Sequence, residues 1–176
     1  MRLMERLSKE ELRELLGKCW ITHDGMWFAH TMAESGMDTA NRLNRKAIQG
    51  MAAIELQRFM KLLGVTKEGL HAFDAFQDFF TQVAELLIPE FMNVSITFEE
   101  PNRVGWTFND RGCFAFNGMT MLGAEKEYRC GVVYRIQCWL KVLEIPYRME
   151  PVIDGCLMAD TGRCSGVFHL WPARNA

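Results

Sequence analysis

The sequence predicts a single α+β domain in which three N-terminal helices precede a ββ-α-ββ antiparallel sheet backed by helices. Three observations carry that reading. Residues 1–91 show helical spacing punctuated by capping signals, and residues 92–176 switch to strand alternation around one long helix. No Pro-, Gly- or Ser-rich linker separates the two parts, so positions 1–176 read as one unit. A chain of this length buries enough surface to fold without disulfides or a structural metal.

The elements follow in order. Ser8 and Glu11 stand at the spacing of a capping box, where hydroxyl and carboxylate each satisfy an unpaired backbone N–H, so a first helix opens there. It runs to about residue 36, with Gly25 as its weak point. Asp38 is placed to cap a second helix, which meets Gly64 directly after Leu63, the position where glycine permits the left-handed turn that ends helices. Thr66 is placed to cap a third, which ends near Pro89. Short connections between the three favour antiparallel neighbours.

Val94, Ile96 and Phe98 then alternate with Ser95, Thr97 and Glu99, the period of a half-buried strand. Pro101-Asn102 makes the turn, and Val104, Trp106 and Phe108 resume the alternation on the way back. Residues 112–116 extend that strand or form a short separate one. A fourth helix is expected over residues 123–143, stopped before Pro146. Residues 147–158 and 164–171 read as a second hairpin turning at Asp160-Thr161-Gly162. Aromatic side chains on the uncovered sheet face would need shelter from water, which predicts a homodimer.

Composition excludes several classes. A formal net charge of -2 with 24% charged residues does not suit a basic nucleic-acid binder, and no apolar run reaches the ~18 residues of a membrane span. The N-terminal residues mix both charge signs with no apolar run, so no secretory signal is expected and the protein is placed in the cytoplasm. Its six cysteines should then be reduced, as buried thiols, metal ligands or redox groups. Most of the twelve Met, twelve Phe and five Trp fall on helical stripes or strand faces, where core packing accounts for them.

Functional suspicion falls on polar residues among apolar ones. At 100° per residue, Leu12, Leu15, Leu16, Cys19, His23, Met26 and His30 share an arc of roughly 100° on the first helix, the width of a core-facing stripe. His23 and His30 serve there as an acid/base or ligating pair, or as core histidines satisfied by backbone; their separation of ~10.5 Å is too long for one shared ion. Trp20, Asp24 and Trp27 extend the cluster over two turns, a mixture that suits a small-molecule pocket as well as simple packing. Glu55, among apolar neighbours on the second helix, needs a partner: Arg58 one turn on, a histidine, or a ligand; with His23, which it would orient, it would form a catalytic pair. Arg135 projects from the apolar stripe of Tyr128, Val132, Ile136, Trp139 and Leu143, either to grip an acidic ligand or to pair with Glu55 or Asp154.

The cysteines give a further expectation. A turn centred on Asp160 would set Cys156 and Cys164 directly opposite, with Cβ atoms about 4.5–5.5 Å apart, near enough to share a metal ion or to oxidise. Cys113 and Cys130 flank the start of the expected fourth helix. The four are candidate ligands of a thiol-bound metal ion, or buried thiols. No CxxC, GxGxxG, P-loop, HExxH or GxSxG is present.

The segments Trp20-Ile21-Thr22-His23-Asp24-Gly25-Met26-Trp27-Phe28, Cys113-Phe114-Ala115-Phe116-Asn117-Gly118, Tyr128-Arg129-Cys130-Gly131 and Gly155-Cys156-Leu157-Met158 resemble an uncharacterised family of cytosolic proteins from anaerobic bacteria and archaea. That family is grouped beside L-2-amino-thiazoline-4-carboxylate hydrolase. The second half, with Cys156, Gly162 and Cys164, is more distantly similar to 4-vinyl reductase and TRAPP-type domains, which implies a small-ligand binder whose antiparallel sheet is backed by helices.

The expected function is therefore cytosolic binding of a small, partly apolar and acidic molecule, with Arg135 as anion anchor, His23 and Asp24 as the polar end, and Trp20, Trp27 and His30 beside them. The alternatives are a hydrolase of a small cyclic amidine or amide, with His23 or Glu55 activating water, and a metal or redox protein using Cys113, Cys130, Cys156 and Cys164. No nucleic-acid or membrane partner is expected.

Overall fold

A computed structural model describes residues 2–99, 101–109 and 112–171. It has the predicted architecture: N-terminal helices, then an antiparallel sheet backed by further helices. After a single unforeseen turn, α1 (Leu3–Arg6), the long helix α2 (Lys9–Ser35) starts at the Ser8 cap, whose Oγ accepts the Glu11 N–H at 3.1 Å while the Glu11 carboxylate accepts the Ser8 N–H at 2.8 Å. Helix α3 (Met37–Leu63) follows at once and ends at Gly64 in the left-handed region, φ 66°. Gly36, not Asp38, precedes its first residue, and Asp38 sits inside the first turn.

Thr66 caps a shorter element than expected. Its Oγ1 accepts the Gly69 N–H at 3.2 Å in the 3-10 turn Glu68–His71, and helix α4 (Phe73–Leu87) begins only afterwards. Phe73, Phe76, Phe80 and Val83 recur at the three- and four-residue spacing of one helix face, and all are buried with Phe79. Each such side chain contributes about 1.5–3 kcal/mol on leaving water.

Strands β1 (Val94–Glu99) and β2 (Arg103–Phe108) form the predicted hairpin. Residues 114–121 are helix α5 (Phe114–Met121) rather than strand. The next helix, α6 (Val132–Val142), is shorter than expected, because residues 123–131 form a loop held by Asn41 of α3. That buried amide donates to the Glu127 carbonyl and accepts the Arg129 N–H, both at 2.9 Å, satisfying backbone groups that a helix would have paired internally. Strand β3 (Tyr147–Glu150), a short helix α7 (Leu157–Thr161) and strand β4 (Ser165–Leu170) complete the chain.

The sheet order is β1-β2-β4-β3, antiparallel throughout. Its inner face, with Val104, Trp106, Phe108, Phe168 and Leu170, packs on α3, α4 and α6 in one core with Leu56, Phe79, Trp139 and Leu140. Gly166 pairs with Trp106, and the indole takes the space a side chain would need. The outer face carries Ser95, Thr97, Glu99, Thr107, Arg148 and Glu150, all exposed, with ion pairs Arg103–Glu99 at 3.1 Å and Arg148–Glu150 at 2.8 Å. Contrary to expectation, it presents no aromatic surface for a second copy to cover. No helix among the described residues is long and apolar enough to cross a membrane.

Candidate functional site

Helix α2 presents to the core the side opposite to the one its apolar spacing predicted. Phe28 is its only buried residue, and Leu15, Leu16, Cys19, His23, Met26, Trp27 and His30 are exposed. The helix docks instead through small residues: a side chain at Gly17 would meet Pro89 at 3.1 Å and Phe91 at 3.3 Å, whereas at Gly25 it would meet nothing within 4 Å. The empty space beside Gly25 is a cavity.

The cavity has a volume of about 300 Å³ and lies between α2, α3, α4, α6 and the inner face of the sheet. Its walls are mainly apolar, with Phe28, Met51, Phe80, Ile96, Phe108 and Trp139 among them. Trp20, Asp24, Asn44, Tyr128 and Arg135 supply the polar groups. A predominantly apolar concavity with a few convergent polar groups is the usual form of a small-molecule site.

Arg135 is the best-positioned of these. Its Nε donates to Glu55 Oε2 at 3.1 Å and its second terminal nitrogen to Glu55 Oε1, a two-point grip across α3 and α6. Glu55 is 7% exposed and also accepts the Trp139 indole N–H at 3.1 Å. The guanidinium is within cation–π reach of two indoles, 5.2 Å from the Trp20 ring centre and 5.5 Å from that of Trp139. The pair therefore resolves the question left by the sequence: Glu55 is bound to Arg135, not to Arg58 or His23.

Asp24 stands at the cavity rim. The residue as a whole is open to solvent, but its carboxyl is sheltered enough that desolvation raises its pKa; Arg135 and then His23 pull in the opposite direction. Among the described residues it has neither a hydrogen bond nor an ion pair. Tyr128, which lines the inner end, is fully buried and kept neutral by that burial, and its oxygen accepts the Gly131 N–H at 3.0 Å.

The remaining candidates lie elsewhere. His23 Nε2 accepts the Trp27 indole N–H at 3.1 Å on the exposed side of α2, so His23 and Glu55 are not brought together. Trp27 and His30 are exposed and outside the cavity lining. Of the residues singled out from sequence, the structure brings together Trp20, Asp24 and Arg135, with Glu55 behind. Asn44, Tyr128 and Gly25 were missed as a group, although glycine inside a long helix is a legible sign of close approach or open space.

The expected metal centre is corrected. Among the described residues no group of three or more His, Cys, Asp and Glu side chains is arranged to hold a metal ion. Cys156 and Cys164 are not cross-strand partners, because β3 and β4 pair as Glu150↔Val167 and α7 occupies the connection between them. Cys130 and Cys164 each lie within electrostatic range of both Cys113 and Cys156. Burial nevertheless pushes each thiol up, Cys113 to about 12 and Cys164 to about 11, so they stay protonated and packed.

No curated protein and no solved structure matches the chain. One family model does, and the segment it matches contains α2, α3 and α4 with Trp20, Asp24 and Glu55, while Arg135 lies beyond it. That model is DUF6125, described as a family of unknown function, and because it matches residues 5–95, more than half of the 176 residues, the chain belongs to the DUF6125 family.

Proposed function

We propose that this protein binds a small, largely apolar molecule in the cavity between α2, α3 and the sheet, with the polar part of the ligand at the Asp24–Arg135 end. One observation carries the reading: an apolar space of about 300 Å³ has its charged groups confined to Asp24 and Arg135. Apolar walls left facing water there lose the burial that a ligand of matching shape would supply. Self-association belongs to the proposal through the exposed apolar residues Leu16, Met26 and Trp27 of α2 rather than through the sheet; a native mass spectrum reads it.

Gly25→Leu tests the cavity directly, since a side chain there enters open space. N-phenyl-1-naphthylamine, a neutral fluorophore that brightens in apolar surroundings, should bind the unaltered protein and lose at least tenfold in affinity with Gly25→Leu, while circular dichroism stays unchanged. Equal affinity for the two proteins would place the dye elsewhere and refute the site.

A further inference from the structure

We propose that the ligand carries a cationic head of the amine class, bound by Asp24 at the rim, with its apolar body inside the cavity; the inference rests on the cavity being a ligand site. The two charged side chains in the lining are Asp24 and Arg135. Arg135 already has a counter-charge inside the protein, because both oxygens of the buried Glu55 carboxylate grip it; its charge still draws on Asp24, but among the described residues no hydrogen bond or ion pair joins the two. Asp24 is the charge left over, with no ion pair and no hydrogen bond among the described residues.

The local balance is two carboxylates, Glu55 and Asp24, against one guanidinium. An acidic ligand would add a third negative charge to a partly desolvated space, whereas an ammonium group brings the balance to neutrality. His23, on the exposed side of α2, has its Nε2 engaged by the Trp27 indole N–H and makes no ion pair with Asp24 among the described residues. Tyr128, also in the lining, is kept neutral by burial. Partial burial raises the pKa of Asp24 and outweighs the pull of Arg135 and His23, so no close counter-charge compensates the desolvation of its carboxyl group. The acidic ligand expected from Arg135 alone is thus replaced by a basic one, because the arginine's partner is the protein's own Glu55.

The test uses three probes that share an apolar body: 3-phenylpropylamine, 3-phenylpropanol and 3-phenylpropionate, measured against the intact protein at neutral pH by ligand-observed NMR. The amine should bind about tenfold tighter than the alcohol, and the carboxylate most weakly, in line with one charge-assisted hydrogen bond. Asp24→Asn should erase the preference for the amine over the alcohol, both probes being measured against that variant. A carboxylate that binds as well as the amine, or an amine preference that survives Asp24→Asn, overturns the inference while leaving the cavity as a ligand site. Failure of all three probes to bind overturns both.

Discussion

Replacing Glu55 by alanine removes three hydrogen bonds at once, two from Arg135 and one from the Trp139 indole. It leaves a guanidinium whose side chain is only 21% exposed without its counter-charge. Breaking a buried pair from one side costs about 3–5 kcal/mol, and an unpaired buried indole N–H adds to it. Arg135 borders the cavity and can recover part of its hydration there, which favours the lower half of that range. We expect a loss of about 3–4 kcal/mol, or roughly 6–16 °C in melting temperature for a chain of this size. Glu55→Gln keeps the shape and an acceptor for Trp139 but removes the charge, and should cost about 2 kcal/mol. Urea unfolding followed by circular dichroism measures both, with an unchanged slope showing that stability alone has moved. A cycle of Glu55→Gln with Arg135→Gln should return a coupling energy above about 1 kcal/mol. If Glu55→Ala unfolds within about 1 kcal/mol of the unaltered protein, the Glu55–Arg135–Trp139 arrangement is not a structural anchor and the charge balance drawn for the cavity fails with it.

Other outcomes are equally specific. Gly166→Ala would put a methyl 2.3 Å from the Trp106 ring and 2.5 Å from the Glu150 carbonyl, so it should destabilise by about 1–3 kcal/mol with a change in tryptophan near-ultraviolet dichroism; an unchanged melt and spectrum would contradict the packing described. A thiol reagent at pH 8 should modify exposed Cys19 quickly and Cys113 and Cys164 only after urea is added, because their pKa values of about 12 and 11 leave very little thiolate; peptide mapping after a short pulse reads the order. Between the ordinary Asp value and the raised value of Asp24 the folded state holds more protons than the unfolded one, so stability falls as pH rises through that window. Asp24→Asn should abolish that fall, and titrations of urea midpoint against pH with and without the substitution would show it. In the same window, binding of an amine should weaken as pH drops.

Much of the fold was legible because its signals are local. The Ser8–Glu11 box, Gly64 after Leu63 and the alternation from Val94 to Phe108 each involve residues within a few positions of one another, and each appears as expected. The errors arose where a distant residue changed the outcome. Residues 123–131 have helical composition, but Asn41, more than eighty positions away, captures their backbone groups and holds them as a loop. The Cys156–Cys164 register depended on a turn that α7 replaces.

By itself the sequence determined the order of elements, their main start and stop points, and the fact that Glu55 and Arg135 needed partners, since burying a lone charge is costly wherever it occurs. Tertiary structure alone decided that they are each other's partner, eighty residues apart. It also decided which side of α2 faces inward. Apolar spacing offered Leu15, Leu16 and Cys19, but close docking at Gly17 onto Pro89 and Phe91 turned the helix so that Ile21, Gly25 and Phe28 look into the protein. Helical periodicity defines faces, and the shape of the neighbouring surface chooses between them.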